Sequence, residues 1–187
     1  QFKLLSFKNV SSEFLDENHS STQLILVAII LLIAMFGLGL TFQIIQTTLP
    51  KLLDLRIENI TTYKIGVVVA LIYGMSGLMS LVGGLLADKF SLKKIYIIGL
   101  LGQVPCLYFI ASLTGLPLIV LCLMAVLFNS SILPAENILL AKFTPEKHHG
   151  LIYGDKFIVS FGAGPIAVFL IAKTYEFTPE FSALFLL

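Results

Sequence analysis

Glu136 and Lys156 are the residues of this sequence whose types and spacing come closest to ion or proton chemistry. Each stands about a turn or two inside a long apolar block, on either side of one polar turn. A carboxylate in an apolar medium shifts toward its neutral form and can carry a proton. Set at the same depth as a lysine, it is equally one half of a structural ion pair, and that is the preferred reading. The remaining candidates are neutral hydrogen-bonding groups near the middle of apolar blocks: Gln43 and Gln46, three apart on one helical face, then Tyr73 and Ser76, then Asn129 and Ser130. Polar groups deep in hydrocarbon are costly, so they mark a solute path or a bond between helices. Gln103 is read as a packing amide. Pro134 has no N–H to give, which frees the Ser130 carbonyl one turn earlier and adds an acceptor beside Asn129.

Chemistry that would make this an enzyme is missing. There is no His/Glu pair at HExxH spacing, no Ser/His/Asp set and no metal-ligand cluster. Cys106 and Cys122 lie in apolar blocks and read as packing residues. His148 and His149 fall in a polar turn and read as solvated. No catalytic residue, no metal and no cofactor is expected.

The elements that carry these residues follow from composition. The chain has 57% hydrophobic and 12% charged residues and a mean hydropathy of +0.97, too little polar surface to cover a water-soluble globule. The expected fold is all-α, a polytopic membrane bundle of about six transmembrane helices. Five uncharged or nearly uncharged blocks are long enough to cross hydrocarbon: Leu24–Leu49, Ile65–Leu86, Ile95–Ser112, Leu118–Ala141 and Leu151–Ala172. A sixth begins near Phe181. Residues 1–21 read as a polar cytoplasmic lead-in, and 22–187 as the bundle, truncated in its sixth span. The links are short, so successive spans are antiparallel neighbours. With the amino end inside, Lys3, Lys8, Lys89, Lys93, Lys94, Lys142, Lys147 and Lys156 lie on the cytoplasmic side, against Lys51, Arg56, Lys64 and Lys173 outside, in keeping with the positive-inside rule. A net charge of +1 offers no bulk field for nucleic acid.

The turn after the second block reads Gly84-Leu-Leu-Ala-Asp88-Lys89-Phe-Ser-Leu-Lys93-Lys94. It resembles the signature loop between the second and third helices of each half of a major facilitator superfamily transporter. Gly84, Asp88, Lys89, Lys93 and Lys94 match; Ser91 stands where the family usually has Gly, and Leu92 interrupts the basic cluster. Asp88 ends a helix, where the helix's own dipole disfavours a carboxylate, so it gains by facing the start of a neighbouring helix. Gly84 would let another helix approach, and the lysines would hold anionic lipid headgroups. The stretch Pro134-Ala-Glu136-Asn137 to Gly150-Leu-Ile-Tyr-Gly154 is similar to the family's return from the fourth span to the fifth. Gly150/Gly154 and Ser160/Gly164 have small-xxx-small spacing and read as helix packing.

The resemblance implies one six-helix half of a twelve-helix facilitator, the carboxyl-terminal half being favoured, with 1–21 as the linker between halves. Gly164-Pro165 is a poor match to the signature of proton-driven exporters. By resemblance, spans one, two, four and five line a solute cavity, which makes Gln43, Gln46, Tyr73, Asn129 and Ser130 its candidate lining. The implied function is secondary active transport of a small solute by alternating access, with export as the expected direction; an importer of the same fold, a membrane-embedded enzyme and a non-transporting scaffold are the alternatives. The implied partners are the solute, the lipid bilayer and the other half of the chain. The implied location is the cell membrane, as a multi-pass protein of the bacterial inner-membrane kind.

Overall fold

Long uncharged blocks satisfy every backbone group internally by forming helices, the form an open chain must take in lipid. The computed structural model describes residues 21–143, 149–177, 181 and 183–185, and its elements are α1 (Ser21–Arg56), α2 (Thr62–Lys89), α3 (Leu92–Ile110), α4 (Gly115–Phe143) and α5 (His149–Phe177), followed by a short 3-10 turn, Ala183–Phe185. All five helices are long and apolar enough to cross a membrane. The lead-in, His148 and most of the turn that holds it lie outside the described residues. So does the expected sixth span, apart from Phe181 and the 3-10 turn. Phe181, Leu184 and Phe185 are buried in the main core cluster with Ile110, Leu118 and Cys122.

The helices run past the apolar blocks, and the physical reasons are local. α1 continues through Pro50 because Leu49, Leu52 and Leu53 are buried and hold that segment against the core. Lys51 and Asp54 add an ion pair of 2.9 Å one turn apart. At its end, Arg56 donates to the carbonyl of Ile110 (2.7 Å), the last residue of α3, and to that of Leu113 (3.2 Å) in the link beyond it. Lys64 and Asp88 are likewise helical, and the α2–α3 link shrinks to Phe90 and Ser91. A left-handed Asn59 turns the chain between α1 and α2.

α4 is the hub. It packs most extensively on α2 and α3 and touches α1, while α1 packs along α5. The pairing of the first helix with the fifth is matched by that of the fourth with the second, the relation expected of two inverted three-helix repeats. Close approach is paid out in small residues. A Cβ on Gly83 would lie 2.7 Å from the Ser131 carbonyl oxygen, so α2 meets the backbone of α4 there. Of the expected small-residue pairs, Ser160/Gly164 lies on the α1 contact, where Gly39 faces the Ser160 backbone, whereas Gly150 and Gly154 have open space around them.

Candidate functional site

Three groups of polar residues emerge, at the middle of the bundle and at its two ends. In the middle, α2 and α4 bring Ser76 and Ser130 together with their hydroxyls 2.9 Å apart. Asn129, the next residue along α4, turns the other way, toward α1. It is buried, and its amide donates to the Leu38 carbonyl at 3.5 Å, the outer limit of a hydrogen bond. It thus sits between two helices of the same bundle, not on an open face. Tyr73 packs edge-on against Phe42 of α1, with 6.2 Å between ring centroids. Its hydroxyl is buried and has no partner among the described residues. Gln43 is half-buried beside α5, its amide nitrogen 3.0 Å from where a Cβ on Gly164 would lie, and Gln46 is exposed. The two glutamines share one side of α1 but not one environment. Gln103 is buried on α3 with its amide nitrogen unpartnered among the described residues.

The end that carries the α2–α3 turn holds the charged group. Glu136 of α4 and Lys156 of α5 form an ion pair of 2.7 Å, with side chains 3% and 11% exposed. Lys156 also donates to the Asn137 side-chain oxygen at 2.5 Å, and the Tyr153 hydroxyl donates to the Asn137 carbonyl at 3.2 Å. Asn137 and Tyr153 are members of the cluster that the sequence did not single out. Their signal was spacing: Asn137 adjoins Glu136, and Tyr153 precedes Lys156 by one turn. Desolvating two charges is offset only when the geometry is good and the other lone pairs and protons are met. Here the second Glu136 oxygen, Oε1, is buried and unmet among the described residues.

The signature loop lies at the same end. Asp88, Lys89, Lys93 and Lys94 are all exposed, and nothing lies within 4 Å of a Cβ on Gly84. Among the described residues Asp88 makes no ion pair. Lys89 suits the negative end of α2, while Lys93 and Lys94 stand in the first turn of α3, against its dipole. The opposite end has a cavity of about 730 Å³ lined in part by Arg56, Glu58, Ser112, Thr114 and Gly115. Among the described residues no group of three His, Cys, Asp or Glu converges as a metal site would require.

No curated protein and no solved structure matches the chain significantly. The Major Facilitator Superfamily model matches residues 24–186, which takes in all five spans, the Asp88 turn and all three polar groups of the bundle. With a membrane-spanning all-α bundle whose helices pair as inverted repeats, this places the chain in the Major Facilitator Superfamily, a family of membrane transporters.

Proposed function

We propose that the chain is one half, the carboxyl-terminal one, of a secondary active transporter that moves a small solute by alternating access, in the direction of export. The protein spans the cell membrane of a bacterium many times, with the amino end of this segment and the Asp88 turn in the cytoplasm. The other half of the same protein closes the path, and the activity is transport rather than enzymatic. The observation that carries this reading is the neutral polar layer of α1, α2 and α4. Asn129 holds Leu38 only at 3.5 Å and the Tyr73 hydroxyl is unmet among the described residues, so both keep hydrogen-bonding capacity at mid-bundle. Among the described residues no charged side chain stands there, which suits a solute recognised by hydrogen bonds rather than by its charge.

The test is transport by the full-length protein in proteoliposomes against a panel of neutral polar solutes. Asn129→Leu and Tyr73→Phe should each raise KM about tenfold, the equivalent of one hydrogen bond, with the melting temperature little changed. Unchanged KM in both variants would remove this layer from the solute path.

A further inference from the structure

Two buried polar atoms at the Asp88 end have no partner among the described residues: the Tyr96 hydroxyl on α3 and Glu136 Oε1 on α4. The register of the two helices sets them opposite each other. α3 and α4 are antiparallel. A Cβ on Gly102 would meet the Phe128 ring at 2.6 Å, one on Gly99 would strike the Ile132 side chain, and Ile95 packs in one cluster with Ala135. Tyr96 is three residues before Gly99, and Glu136 is four after Ile132. Both offsets keep a residue on the same face of its helix, so the next layer of this contact is Tyr96 against Glu136. Their chemistry is complementary, because a phenol donates and a carboxylate oxygen accepts. The other Glu136 oxygen is already taken by Lys156. Tyr153, the other phenol of the cluster, already donates to Asn137.

We propose that Tyr96 is a positioning residue for the Glu136–Lys156 pair. A small side-chain rotation brings its hydroxyl to Oε1, in a charge-assisted bond of the short, strong kind. The carboxylate is then held from both sides, by the α5 lysine and the α3 phenol, and three helices are tied at one point. This matters most for α4 and α5, which otherwise pack sparsely on each other. The inference stands apart from any assignment of solute or direction.

The experiment is infrared spectroscopy of the full-length protein in lipid nanodiscs. The carboxylate stretch of Glu136 is identified by its loss in Glu136→Gln. Tyr96→Phe should shift that band, and in protein carrying ring-labelled tyrosine, Glu136→Gln should shift the C–O stretch of one tyrosine. If neither band moves, the proposal is overturned. Thermal unfolding gives a second reading. Tyr96→Phe should lower Tm by about 2–4 °C, but have no effect in the Glu136→Gln/Lys156→Met background. An equal loss in both backgrounds would assign the hydroxyl to another partner and overturn the proposal. Should the double variant fail to fold, the infrared result on Tyr96→Phe decides alone.

Discussion

Glu136 is deeply buried, and Lys156 at 2.7 Å is the cation that answers it. Removing one partner leaves the other charged and unmatched. Glu136→Gln and Lys156→Met are therefore each expected to destabilise by about 3–5 kcal/mol, and the double variant to recover part of that loss. Denaturation of the purified protein in detergent checks this. A fully stable Glu136→Gln that has lost uphill transport but keeps downhill exchange would instead make Glu136 a proton carrier. This pair was legible in the sequence because both residues sit at similar depth on consecutive antiparallel spans, and depth is counted in residues. Tyr96 was not, because its meeting with Glu136 depends on how α3 and α4 are turned about their axes. The same blindness applies to Asn129. Its depth could be counted, but that it faces Leu38 while Ser130 faces Ser76 could not.

Among the elements, α2 shows how much that rotation decides. Gly83 and Gly84 are adjacent in sequence, and only the first meets another helix. A methyl group at Gly83 would press on the Ser131 backbone, which cannot swing aside as a side chain would. Gly83→Ala should cost about 1–3 kcal/mol through overpacking, and Gly84→Ala no more than about 0.5 kcal/mol. Equal losses in thermal unfolding would contradict the α2–α4 crossing described above. The existence and order of the five helices could be read from block length alone. Their ends could not, since Leu52, Leu53 and the Arg56 bonds to α3 carry α1 past its apolar block. Nor could the hub be recognised. Apolar residues surround most of α4, so no stripe in its sequence says which side faces inward; in the structure Leu116, Val120 and Met124 share an exposed side while Ala125, Val126, Asn129 and Ser130 are buried.

At the scale of the whole molecule, the orientation rests on lysines and can be tested directly. In the full-length protein without its native cysteines, Phe90→Cys should react with an impermeant maleimide only from the cytoplasm, and Asn59→Cys only from outside. Labelling of both from one side would refute the proposed topology. The same Phe90–Ser91 link has a mechanical consequence. Lys89 ends one helix and Leu92 begins the next, so their Cα atoms are three steps apart and can separate by about 11 Å at most. A tether this short has no slack. Whatever swing carries the foot of α2 must carry the foot of α3 with it, so the two helices work as one lever with a common fulcrum at the turn. Spin labels at Lys89→Cys and Lys93→Cys should hold one narrow distance distribution through the whole transport cycle, while labels on the feet of α2 and α5 need not.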